Sequence, residues 1–458
     1  MRKSVLAIPA GALAIALTLG LNTTAASAVS GAAPPGGGDP QVQQGRDSLE
    51  HPLGKKQGSL RAKGLEMKLS GKLAPDTKVA KIAKGQYVEL ARQGEDTIWT
   101  VLGQFGNAIN PTYGGTTGPV RNQIPEPDRS VDNTTIWTAD FSPAYFTDLL
   151  FSDAPGAISM RNFYKEQSSN RYTVNGDVTD WVTVPFNAAN YGSNYCGGIV
   201  CARTWLFVSD SVNAWYNTQV AAGKTPAEIN AALAKYDVWD RYDYNGNGNF
   251  NEPDGYIDHF QSVHAGEGEE TGGGAQGTDA IWSHRWYAFY NNIGVTGPAT
   301  NKLGGIQVGS SNLWIGDYTV EPENGGVGVF AHEFGHDLGL PDLYDTSGNT
   351  GGAENSTGFW TLYSSGSYGS SGKPADGIGS KPIPMSAYEK IFLGWSDYQL
   401  VGPGQSAAVK LGPASATTKQ AQQLVVVLPD KQVTTNIGGP YEGSNFYHSG
   451  SGQTSTTR

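Results

Sequence analysis

The stretch VFAHEFGHDLGLPDLYD, residues 329–345, sets two histidines four positions apart with a glutamate after the first. On a helix, positions i and i+4 share a face about one turn apart. His332 and His336 can therefore aim both imidazoles at one ion, as zinc prefers at about 2.0–2.1 Å. Glu333 then reaches a water held by the ion rather than the ion itself. Gly339 is placed to end the helix, because glycine readily takes the positive φ of such an ending, and Pro341 cannot continue it. The chain turns back and can bring Asp342 as a third zinc ligand, leaving one position open for water. Glu354 and Glu389 are the alternatives for that third place. Asp337 and Asp345 are expected beside the site rather than on the metal. This is the chemistry of hydrolysis: Glu333 takes a proton from the water and later passes it to a leaving amine. Tyr344, Tyr363 and Tyr368 are candidates to steady the oxyanion.

A second oxygen-rich stretch, DYNGNGNFNEPD (243–254), has the spacing of a calcium loop. Asp243, Asn245 and Asn247 fall at loop positions 1, 3 and 5, with Gly248 at the sharp turn. The carbonyl of Asn249 falls at 7, Asn251 at 9 and Asp254 at 12. Alternating oxygen donors suit Ca²⁺ in a structural role, although aspartate in place of glutamate at the last position implies modest affinity. His259, His264 and His284 are expected as packing residues, and GEGEE (266–270) offers another acidic rim.

These groups need a scaffold, and 458 residues supply ample apolar content for one. The basic, then apolar start, with Ala26-Ser27-Ala28 as a cleavage site, reads as a signal peptide over 1–28. No later run approaches the ~18 apolar residues of a membrane span. An extracellular, secreted protein is expected to join its two cysteines, Cys196 and Cys201, in a disulfide. Residues 29–45 are Pro/Gly/Gln-rich linker, followed by short basic strand-like pieces up to about residue 94. TIWTVLGQF (97–105) reads as a buried strand. SPAYFTDLLF, SMRNFYKEQSSN and TPAEINAALAKYDVW read as helices, and RYTVNGDVTDWVTVP as strand. After Asp397, short β-like runs such as AAVKLG and QLVVVLP take over.

Charge divides the chain. Residues 29–94 hold 11 Lys/Arg against 6 Asp/Glu, whereas residues 95–458 hold 18 against 36. A basic leader on an acidic body suits a pro-segment over 29–95 that inhibits the domain behind it. It has no cysteine to block a metal, which leaves His51, Asp39, Asp47, Glu50, Glu66, Asp76, Glu89, or simple cover. The acidic body argues against nucleic acid as a partner.

HEFGHDLGLPD resembles the metzincin-type pattern HExxHxxGxxH/D, with aspartate last as in snapalysin-like enzymes. Together with GFWTLYSSGSYG (358–369) and the block GYIDHFQSVHAGEGEETGGGAQGTDAIWSHRW (255–286), it is similar to the immune inhibitor A-like peptidases, family M6. The resemblance covers about residue 60 to the end. It implies an α+β, metzincin-like catalytic domain over 96–397, and a β-rich segment over 398–458 that is longer in family members. It also implies a secreted zinc endopeptidase made as a zymogen and acting on protein or peptide substrates. One departure stands out: the family's turn beneath the metal carries methionine (WSLMSSGS-like), where this chain has Tyr363. Either Tyr363 packs there or the turn differs, with Met385 as another support. The rival reading is a secreted binding or adhesion module with an impaired protease core.

Overall fold

The computed structural model describes residues 47–344, 346, 357–415 and 420–427, with strand residues 431–434 and 454–457. The expected signal peptide, the linker, Asp39, Asp345 and Glu354 lie outside these residues.

In chain order, helix α1 (Pro52–Leu69) precedes a hairpin of β1 (Val79–Ala83) and β2 (Gln86–Glu89). Strand β3 (Gly94–Gln104) leads to α2 (Pro143–Phe151), α3 (Met160–Gln167), β4 (Tyr172–Val178) and β5 (Val182–Thr183). Next come α4 (Ala188–Gly192), α5 (Thr204–Ala221), α6 (Pro226–Leu233), β6 (Phe260–His264) and β7 (His284–Tyr287). The short pair β8 (Ile306–Gln307) and β9 (Trp314–Ile315) is followed by β10 (Asp317–Pro322), α7 (Val327–Asp337) and α8 (Ala387–Phe392). Strands β11 (Tyr398–Val401), β12 (Gln423–Val426), β13 (Lys431–Thr434) and β14 (Thr454–Thr457) close the chain.

A mixed six-stranded sheet organises this α/β body, in the order β4-β3-β6-β10-β7 with β5 beside β3. Neighbours are parallel except β7, which runs antiparallel to β10 at the edge. Side chains alternate between the faces of a strand. On one face Trp99 and Val101 of β3, Phe260 of β6 and Tyr318 of β10 meet Phe207, Val208 and Val212 of α5. On the other, Ile98, Leu102 and Val263 meet Phe146, Tyr164, Phe330 and Phe334 of α2, α3 and α7. Both faces are covered, so β3 reads as a nearly continuous apolar run. The helix starts follow local chemistry: Ser142 and Ser159 cap α2 and α3, and Thr225 with Glu228 forms a capping box on α6.

Two expectations are corrected. The basic stretch before residue 70 is an 18-residue helix, not strand-like pieces. Gly54, Gly58 and Gly64 lower its helix propensity and it has no apolar stripe, so periodicity missed it. Packing sets it instead: a Cβ on Gly64 would stand 2.9 Å from Leu90, and Arg61 lies over the Phe392 ring at 4.4 Å. Later, AAVKLG (407–412) forms no strand; β11 pairs in parallel with β12, and a β-like run without a partner does not hold. No helix among the described residues is long and apolar enough to cross a membrane. Cys196 and Cys201 form the expected disulfide, with Cα atoms 5.9 Å apart.

Candidate metal centre

Helix α7 starts just after Gly326, runs beneath β10 and β7, and is buried along its whole length. It ends in a Schellman motif: Leu340 N–H donates to the Gly335 carbonyl at 3.0 Å and Gly339 N–H to that of His336 at 2.9 Å. Gly339 takes φ +96°, so the glycine stop holds. The reversal aims the Leu340 carbonyl back at His336, whose Nδ1 lies 2.7 Å away, and His332 Nδ1 stands 2.8 Å from the Leu362 carbonyl. An imidazole that donates Nδ1–H to a carbonyl presents a bare Nε2 lone pair. The two Nε2 atoms face each other at 3.0 Å.

Asp342 Oδ1 joins them, 3.0 Å from His336 Nε2 and 3.5 Å from His332 Nε2. A fourth donor, which no local pattern singled out among the acids of the leading segment, is Asp47. Its Oδ1 is 3.1 Å from His336 Nε2 and its Oδ2 3.3 Å from His332 Nε2. Asp47, His332, His336 and Asp342 form a group with all donor atoms within 4.8 Å of one another. A tetrahedral ion with bonds of about 2.0–2.2 Å needs donors roughly 3.3–3.6 Å apart, so the set fits a small divalent cation. Its field asks for positive charge as well. Burial opposes protonation of His332, yet the carboxylates overcome it and hold its pKa well above the imidazole range; His336 is pushed up to about 9. Glu333, beside this group, is buried, and burial followed by the Asp47 charge holds its carboxyl pKa well above normal.

The other expected residues sort clearly. Glu389 lies elsewhere: its carboxylate accepts from Thr361 Oγ1 and the Ser386 N–H and caps α8. Tyr363 does pack beneath the metal helix, its ring stacked on His332 at 5.1 Å and set against His336 at 5.2 Å. Met385 is buried in the core facing α7. Tyr344 is hydrogen-bonded to Asp47, and burial with the nearby carboxylates lifts its pKa well above normal. Tyr368 is buried within reach of the Glu270, Asp47 and Glu333 charges.

Asp337 is no solvated neighbour. Arg241 grips it with two 2.8 Å bonds, and His259 Nδ1 lies 2.5 Å from its Oδ2. His259 Nε2 stands 3.3 Å from Asp96, which Arg92 holds in turn at 2.9 Å. His264 and His284 are packed as expected, each lowered by burial to about 4. In the 243–254 loop the side-chain amides of Asn245, Asn247 and Asn249 all reach Glu252 at 2.7 Å. Asp254 does not join that rim: it is buried, accepts from Tyr256 N–H at 2.9 Å and meets Asn301. Asp243 accepts from Gly248 N–H at 2.8 Å, the turn the spacing implied.

A helix carrying two histidines and a glutamate, stopped by glycine and joined by a carboxylate donor under a mixed sheet, has the donor set of a metal site. Residues 84–396 match the family described as Immune inhibitor A peptidase M6, catalytic domain, and the chain belongs to that family. It is 36% identical over 342 residues to "Immune inhibitor A" of Bacillus thuringiensis subsp. alesti, covering 69% of this chain and 46% of that protein. It is 40% identical over 269 residues to "Pre-pro-metalloprotease PrtV" of Vibrio cholerae serotype O1 (strain M66-2), covering 57% of this chain and 27% of that one. The chain spans less than half the length of these curated relatives.

Proposed function

We propose that this chain is a secreted zinc endopeptidase made as a zymogen, with pro-segment 29–95, catalytic domain 96–397 and β-rich segment 398–458. The observation that carries this reading is the convergence of His332, His336 and Asp342 beside Glu333 at the end of one capped helix. Zinc, when bound there, would lower the pKa of a water and polarise the scissile carbonyl. The protein's own part comes from position. The Leu340 and Leu362 carbonyls fix both imidazoles, and Glu333 accepts the water's proton and returns it to the leaving amine. Tyr344, which already donates to a carboxylate oxygen seated over the histidines, is placed to steady an oxyanion.

The zymogen reading is supported by where residues 47–51 run, across the metal centre and along β7. A relative's printed name, pre-pro-metalloprotease, describes a precursor of that kind. Tyr363 lends the binding-module alternative little support, because its ring stacks under His332 while both histidines and Asp342 still converge. Casein cleavage by protein trimmed of its leading segment tests the proposal. Glu333→Ala is expected to lower turnover by about 10²–10⁴-fold while keeping its zinc, and a zinc chelator to abolish it. Trimmed wild-type protein that holds zinc and cleaves nothing would sink the reading.

A further inference from the structure

The outer edge of β7 is occupied by the chain's own leading segment. Arg285 N–H donates to the Asp47 carbonyl at 2.6 Å, and Leu49 N–H donates to the Arg285 carbonyl at 3.0 Å. Further along, His51 stacks on Tyr287 at 4.9 Å, and its Nε2 lies 2.9 Å from Arg285 Nη1. Leu49 and Leu53 pack against the core around α5, and Gln57 reaches the Arg241 carbonyl. These anchors hold the backbone at residue 47, and its side chain reaches the two histidines.

Asp47 is seated there as closely as Asp342. Its oxygens are 3.1 and 3.3 Å from the same two Nε2 atoms that Asp342 meets at 3.0 and 3.5 Å. Its side chain is 1% exposed, and Tyr344 is bonded to it. We propose that Asp47 is the latch of the latent protein: its carboxylate is a fourth protein donor to the metal and fills the place from which a water would attack. Latency is then coordinative and not merely a matter of cover. The inference rests on the zinc-peptidase reading above and adds the residue that silences it. It also fixes what activation must do. A cut upstream of residue 47 leaves the latch in place, whereas release of the Asp47–His51 stretch frees it. Three donors then remain, and the metal is held less tightly.

The test uses the full-length chain loaded with zinc and two readouts, zinc release to a chromogenic chelator and casein cleavage. Asp47→Asn keeps the size and backbone pairing of the residue but loses the charge. It is expected to release zinc at least about tenfold faster than wild type, since even supporting contacts to ligands are worth 10–100-fold. It should also cleave casein without trimming. Lys56→Ala, an exposed change on the same segment, should stay latent. A D47N chain that is as latent and as slow to release zinc as wild type overturns the proposal. Should that variant misfold, an N-acetylated peptide of residues 47–57 added to trimmed enzyme decides instead. It should inhibit at least about tenfold more strongly than its D47N counterpart, and equal inhibition would leave only steric cover. If trimmed wild-type enzyme cleaves nothing, the peptidase reading fails, while zinc release still judges Asp47.

Discussion

Replacing Gly335 by alanine is expected to cost at least about 3 kcal/mol and most of the metal affinity, the upper end of overpacking penalties. A Cβ at that position would stand 1.3 Å from the Tyr363 hydroxyl oxygen and 2.5 Å from its ring. Tyr363 cannot simply swing away. It is fully buried, stacked on His332, and its hydroxyl lies beside the Ala331 carbonyl, which Tyr164 already binds at 2.6 Å. Either the ring leaves and the imidazoles lose their floor, or α7 shifts and the donors separate. Urea midpoints and bound zinc should fall together in Gly335→Ala. Adding Tyr363→Met, a shorter and more flexible side chain, should recover most of the loss, a strong positive coupling in a double-mutant cycle. A single variant that melts and binds zinc like wild type would mean that Tyr363 does not occupy this place.

Asp337→Ala should be comparably damaging, at roughly 3–5 kcal/mol, because it leaves the buried Arg241 guanidinium without the carboxylate that grips it. The pH dependence has a definite sign. Burial works against ionising Asp337 and Asp96, but Arg241, Arg92 and His259 overcome it and hold both carboxyls well below the usual range. Their contribution is complete above the ordinary value of 3.8 and fades as pH falls toward the depressed one. His259 is the opposite case. Burial lowers its pKa, the two aspartates more than reverse this, and its contribution is complete below 6.5 and fades as pH climbs through the raised value. The gap between wild type and variant should therefore be widest from about pH 4 to 6.5 and narrow on either side. Urea unfolding across pH, with chelator present so that the adjacent His336 does not couple metal loss to the result, measures it. A gap that stayed flat through acid pH would count against the buried pair.

What the sequence reveals about this molecule depends on the range of the interactions. His332, Glu333, His336, Gly339 and Asp342 are legible because one helix and its ending place them, all within eleven residues. The capped helices are legible for the same reason. Helix α1 is not: three glycines and no apolar stripe hide it, and contacts with residues such as Phe392 decide its form. Tyr363 was visible as a departure, but its fit depends on Gly335, which looks like an ordinary filler between the histidines. Arg241 and Asp337 lie 96 residues apart, and neither announces the other. Asp47 was one acid among several in its segment until β7 placed it. In the 243–254 loop the turn at Gly248 was legible, yet the amides turn to Glu252 and not to Asp254.

Strand β7 ends the sheet, and residues 47–49 use both backbone groups of Arg285. Removing the segment strips this bridge as well as a carboxylate, leaving an N–H and a C=O ready to pair with any extended chain. On the zymogen reading proposed above, the leader would also guard the protein against sticking to its own kind. The trimmed protein should self-associate more readily as concentration rises, which light scattering on matched samples would show. If both forms scatter alike, that edge is shielded by something other than the leader.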